Sequence, residues 1–134
     1  MKKGYHAHIE RLTEENTDFR RVLYTAESLQ LVLMTLAPLE EIGMETHHEN
    51  DQFFRFESGE GKVVVNETEH HVSDGDCVIV PKGAKHNIIN ISSENPLTMY
   101  TIYTPPHHMD GTIHPTKEYA ESHEEDFEGT TTEK

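Results

Sequence analysis

Between Phe19 and Thr104 the chain is cut into apolar segments of strand length by turn residues. No other feature restricts its fold as strongly. The segments FRRVLYT, LQLVLMTL, IGMETHHE, QFFRFES, GKVVVN, TEHHV, DCVIVP, HNIINIS and LTMYTIYT follow one another closely. Pro38, the ESGEG run at 57–61, Asn66–Glu67, the SDG run at 73–75, the PKG run at 81–83 and SSENP at 92–96 separate them. Many short strands with turn signals at near-regular spacing predict an all-β sandwich or barrel. A length of 134 residues suits one domain. Residues 1–25 are expected to form an N-terminal arm and first strand, with a short strand at Tyr5–Ile9. The barrel is expected over 26–115, and a C-terminal helix with a disordered acidic tail over 116–134. That helix is the one the sequence predicts: Thr116 caps the helix formers KEYAESHEED, whereas EGTTTEK lacks apolar periodicity.

The formal net charge is -14 at pH 7. A nucleic-acid binder needs a basic face, and an anionic membrane repels such a chain, so neither partner is expected. No apolar stretch follows Lys2 and Lys3, so no secretory leader is expected, and no run approaches a membrane span. Cys77 is the only cysteine, which suits a reduced, cytoplasmic setting. Its place in CVIV predicts a small buried core residue.

His86 follows the PKG turn at the start of a strand. Alternation puts His86, Ile88 and Asn90 on one face, where a polar ring must hydrogen-bond or ligate something, because an unpaired buried polar group costs about 1–3 kcal/mol. Upstream, Glu45 and His47 are two apart, and a strand points both to one face about 6.5–7 Å apart. Gln52, Phe54 and Phe56 share a face of the next segment. Two imidazoles, a carboxylate and an amide oxygen suit one divalent transition metal, Mn, Fe, Ni or Zn.

At these residues the chain resembles the cupins. Gly75, Pro81, Gly83, His86 and Asn90 match every fixed position of the family's second motif, G-x5-P-x-G-x2-H-x3-N. In the first motif, G-x5-H-x-H-x3,4-E-x6-G, His47, Gln52 and Gly59 keep the spacing. Glu45 stands where the first histidine is usual, and Gln52 where the glutamate is usual. One carboxylate is kept, moved to the neighbouring strand, so the charge balance around a divalent ion is preserved. The resemblance implies a small antiparallel jelly-roll barrel with the metal near its centre, held by Glu45, His47, Gln52 and His86. It also implies a homodimer and a small polar organic ligand. His48 faces away from His47 unless a bulge in THHEND reverses the alternation.

Much of the chain is similar to short bacterial cupins often labelled mannose-6-phosphate isomerase-like. A phosphosugar site needs inward cations. Lys62, Lys82 and Lys85 form no such cluster, and Arg55 falls opposite Gln52. Three function classes stay open: a metal-dependent dioxygenase or isomerase, a non-catalytic binding or sensing cupin, and a metal-handling protein suggested by 11 histidines. Tyr100 or Tyr103 would serve the first class as a general base. His107, His108 and His114, after Pro105 and Pro106, form either a lid over the barrel mouth or a solvated loop. His70–His71 and His6–His8 are expected to be structural.

Overall fold

The computed structural model describes residues 1–134. Ten strands and two short helices follow one another in the chain: α1 (Ile9–Glu15), β1 (Arg20–Thr25), β2 (Gln30–Leu36), β3 (Glu45–Thr46), β4 (Asp51–Ser58), β5 (Glu60–Val65), β6 (Thr68–Ser73), β7 (Cys77–Val80), β8 (Lys85–Asn90), β9 (Leu97–Thr104), β10 (Ile113–His114) and α2 (Lys117–Ser122). Two sheets result, ordered β10-β1-β2-β9-β4-β7 and β3-β8-β5-β6, with every pairing antiparallel. This is the expected all-β jelly-roll architecture.

The core lies between the sheets. Val32, Met34, Leu36, Phe54, Phe56, Leu97 and Met99 come from the larger sheet, and Val63, Val72 and Ile88 from the smaller. Alternation explains the selection: in β4, Gln52, Phe54 and Phe56 are buried while Phe53 and Arg55 are partly exposed. Arg55 does face away from Gln52, pairing instead with Glu57, Nε to Oε1 3.1 Å. Burial raises the Glu57 carboxyl pKa, and the Arg55 charge opposes that rise.

Asn90, the last residue of the second motif, is an anchor rather than a ligand. Its Nδ2 donates to the carbonyls of Leu36, Ala37 and Asn95, and its Oδ1 accepts from Ser92 N–H. Gly59 is required by close approach: a side chain there would collide with the backbone of Pro96 and Leu97. Leu39, at the place of the first motif's opening glycine, keeps a glycine-like backbone with φ 63°.

Three expectations need correction. No strand covers Tyr5–Ile9; Ile9–Glu15 is a helix instead, with His8 Nδ1 accepting the Arg11 N–H as its cap. Ile9, Leu12 and Thr13 fall at i, i+3 and i+4, a helical period short enough to miss. Cys77 is exposed, because β7 is an edge strand whose alternation buries Val78 and Val80 and turns Cys77 and Ile79 outward. Residues 123–126, expected to continue the helix, and the EGTTTEK tail, expected to be disordered, run back over the barrel. Met109 N–H donates to Glu125 O, Phe127 N–H to His107 O and Thr132 N–H to Thr25 O. Their partners are main-chain groups, which no side-chain pattern announces. The helix capped by Thr116 starts where expected, Thr116 Oγ1 accepting the Tyr119 N–H at 3.1 Å, but ends at Ser122 rather than Asp126.

Candidate metal centre

The short strand β3 lies against β8, with Glu45 directly opposite His86. Residues opposite one another in an antiparallel pair project to the same face, and His47 returns to that face two positions on. The PKG turn then fixes the approach. Ala84 N–H closes it onto Pro81 O, and Gly83, at φ 87°, donates its N–H to His47 O at 2.8 Å. Lys82 N–H adds a bond to Asp51 Oδ1. The turn of the second motif therefore clamps the histidine of the first, and only glycine adopts that φ without strain.

Glu45, His47 and His86 offer three ligand atoms that all lie within 4.8 Å of one another. His47 Nε2 is 3.3 Å, and His86 Nε2 4.0 Å, from Glu45 Oε2. His86 Nδ1 lies 3.0 Å from Ala84 O. A carbonyl only accepts, so the proton sits on Nδ1 and the Nε2 lone pair faces the cluster. His47 Nε2, His86 Nε2 and Gln52 Oε1 are all buried without an aligned hydrogen-bond partner. Three buried ring and amide atoms without an aligned partner, at residues expected to hold a metal, suit a cation site.

Gln52 is 3% exposed, and its Nε2 donates to Thr101 Oγ1 at 3.0 Å. It sits on the larger sheet opposite Tyr103, away from the three-residue cluster's own sheet. His48 is exposed, as expected for the residue facing away from His47.

Burial by itself would raise the Glu45 carboxyl. The contact with His47 and the nearby Arg20 charge outweigh that cost, so its pKa is lowered. Burial lowers the His86 pKa and keeps the ring neutral, as a ligand must be.

A cavity of about 220 Å³ opens beside these residues. Arg20, Glu45, His47, Tyr103, His107 and His108 form much of its wall. His108 and His114 are buried and His107 is partly buried, so these three do not form a solvated loop. Gln30, fully buried, accepts the N–H groups of His107 and His108 at Oε1 and donates to His108 O. That clamp sets the His107 ring 4.4 Å from the His47 ring, and His108 Nε2 3.2 Å from the Tyr103 hydroxyl. Burial lowers the His107 pKa to about 4 and that of His108 well below its ordinary value. Tyr103 is buried and its pKa is raised for the same reason, so it stays protonated. That disfavours it as a base and suits it as a hydrogen-bond donor. Tyr100 lies partly exposed beside Phe53, a packing role.

Arg20 was missed by sequence reasoning. Its signal was present: alternation with Val22 along β1 places it on the inward face, and it is 7% exposed. Lys62, Lys82 and Lys85 contribute nothing to the cavity wall, so the inward cation cluster of a phosphosugar site is absent from it.

Comparisons with known proteins show the family and the fold. Residues 32–103 match the Cupin domain family. The chain is 40% identical over 121 residues to the uncharacterized Bacillus subtilis protein YrkC, covering 86% of this chain and 64% of that one. An uncharacterized protein of Acanthamoeba polyphaga mimivirus is 39% identical over 112 residues, covering 81% of this chain and 70% of that one. The chain thus spans less than two thirds of the length of the first relative. Among solved structures, BH2720 of Bacillus halodurans superposes with a TM-score of 0.88 at 37% identity, covering 90% of this chain and 96% of that one. TT1209 of Thermus thermophilus shares the fold, with a TM-score of 0.66 at 24% identity, covering 75% of this chain and 96% of that one.

Proposed function

The chain belongs to the cupin family, and from that premise we propose that it binds one divalent transition metal through Glu45, His47 and His86 and acts there on a small polar organic molecule. The observation that carries this reading is the convergence of Glu45, His47 and His86 within 4.8 Å, with buried atoms of His47, His86 and Gln52 lacking an aligned partner. Gln52 joins the proposal as a fourth donor through its free Oε1. A bound ion would supply Lewis acidity and, as Fe(II), redox chemistry with dioxygen. The chain's own contribution is the locked His86 tautomer, a polar cavity and Tyr103 as a fixed hydrogen-bond donor to a ligand oxygen.

A metal-dependent dioxygenase or isomerase is the reading we favour. The cavity opens beside Glu45 and His47, so a ligand has access to the ion. A second opening of about 610 Å³ shares His47, His107 and Asp126 with it, so the space beside the site is not confined to about 220 Å³. A non-catalytic binding or sensing cupin is the second reading, favoured by the absence of an available base along the cavity's tyrosines. A metal-handling role draws only on the histidine count. Oxygen uptake after anaerobic Fe(II) loading, with a panel of small diols, thiols and keto acids, tests the dioxygenase reading. Uptake with one class is expected; no uptake with any of them would remove the dioxygenase and shift weight to the binding reading.

Two further parts of the proposal concern setting and assembly. No helix is long and apolar enough to cross a membrane, and the proposed setting is the cytoplasm. The edge strand β7 turns Ile79 outward at 66% exposure, and Met44 and Leu39 are also exposed. Such edges and apolar side chains invite pairing with a second copy. Light scattering is expected to give twice the chain mass of 15.4 kDa, and a monomer at micromolar concentration would refute the dimer.

A further inference from the structure

Arg20 projects from β1 into the cavity wall and is 7% exposed. Its Nη1 lies 3.1 Å from His114 Nδ1, and His114 Nε2 lies 3.1 Å from His123 O. The carbonyl accepts, so the His114 proton is on Nε2, and Nδ1 is left to accept from Arg20. His114 is thus a neutral prop that orients the guanidinium without neutralising it. The Phe19 ring, 5.2 Å from the guanidinium carbon, supports the same orientation.

What Arg20 lacks is an anion. No carboxylate lies within ion-pair distance of it, although Arg21, its neighbour, pairs with Asp18. Arg20 Nε is buried with no hydrogen-bond partner at all. A buried unpaired charge costs several kcal/mol, and a guanidinium edge offers two parallel donors that match a carboxylate. Glu45 shares the cavity, but its charge is committed to the metal in the reading above. Glu124, Glu125 and Asp126 also line the cavity, with exposed side chains that solvent screens.

We propose that Arg20 is the carboxylate-recognition group of this cavity, and that the ligand taken at the metal centre is a small organic monocarboxylate. This rests on the metal reading for where the rest of the ligand sits, not for the Arg20 contact itself. One guanidinium edge matches a single planar carboxylate, and Glu45 in the same wall disfavours a phosphate dianion. The ligand's other end faces Glu45, His47 and Tyr103, where a hydroxyl or keto oxygen finds both a cation site and a hydrogen-bond donor.

The test is isothermal titration of wild type, Arg20→Met and Arg20→Lys, each metal-free and Mn(II)-loaded. The probes are lactate, methyl lactate and inorganic phosphate. Lactate is expected to bind Mn(II)-loaded wild type about tenfold or more tightly than its ester or phosphate, the scale of a charged hydrogen bond. Arg20→Met should lose that margin while keeping its Mn(II) affinity within about twofold, and Arg20→Lys should retain part of it. Equal lactate affinity in wild type and Arg20→Met, tighter binding of phosphate than of lactate, or no lactate binding to wild type would overturn the proposal. Arg20-dependent lactate binding in a wild type that takes up no metal would overturn the metal reading and leave this one standing. Should Arg20→Met fail to fold, the Nε–H resonance of Arg20 in wild type decides. It is assigned by replacing Arg11, Arg21 and Arg55 with Lys. It is expected to shift on adding lactate but not methyl lactate, and an unmoved resonance refutes the proposal.

Discussion

His86→Ala is expected to lower Mn(II) or Fe(II) affinity by more than about 100-fold, beyond the 10–100-fold that loss of a residue supporting a ligand typically costs. The reason lies in how fully His86 is committed. It is 1% exposed, its Nδ1 is tied to Ala84 O, and its Nε2 faces Glu45 with no other partner. Alanine leaves no donor that could swing in, because the opposite strand already uses Glu45 in that register. Glu45→Gln should weaken binding strongly as well, since it removes the only carboxylate of the cluster. Gln52→Glu, which restores the family's usual residue there, should tighten binding. His48→Ala, at an exposed position, should change nothing. Chelator competition on the purified variants measures all four. Parent-like affinity in Glu45→Gln together with loss in His48→Ala would show that the ligand register is off by one residue.

Phe56→Ala is expected to destabilise the fold by about 3–5 kcal/mol, the range for deleting a buried aromatic ring. Phe56 is 0% exposed and stacks near Phe54, with ring centroids 6.3 Å apart. It lies on β4, inside the larger sheet, paired with Met99 across the strand boundary. The ring's neighbours are held by strand hydrogen bonds on both sides, so the cavity cannot collapse cheaply. Against a total stability of about 5–15 kcal/mol this is a large fraction. The urea midpoint should fall with an unchanged slope. The solvent-facing Ile79→Ala, on an outward position of the edge strand, should move it little. A loss below about 1 kcal/mol in Phe56→Ala would mean that the core does not close around β4 as described.

The strand ladder was legible because alternation and turn chemistry are local. Residues 86, 88 and 90 fell on one buried face, and Thr116 started its helix. Convergence of Glu45 and His47 with His86 was legible too, through period-two spacing and the two motifs. The rest depends on pairings far apart in the chain. Cys77 lies in an apolar run that resembles a core strand, and only the position of β7 at the sheet edge turns it outward. The clamp from Gly83 to the His47 carbonyl uses main-chain atoms, so no side chain marks it. Gln30 captures His107 and His108 across 77 and 78 residues, which turns an apparent surface loop into part of the cavity wall. Arg20 announced itself only by sharing a face with Val22, and its meaning needed the cavity to be seen.

The central claim is that Glu45, His47 and His86 converge on one divalent ion. X-ray absorption on Mn(II)- or Fe(II)-loaded protein at matched stoichiometry tests it most directly. The prediction is about one ion per chain, with two imidazoles and otherwise oxygen ligands, and one imidazole fewer in any residual site of His47→Ala. No ion retained after gel filtration, or an ion whose imidazole count is unchanged in both His47→Ala and His86→Ala, would contradict it.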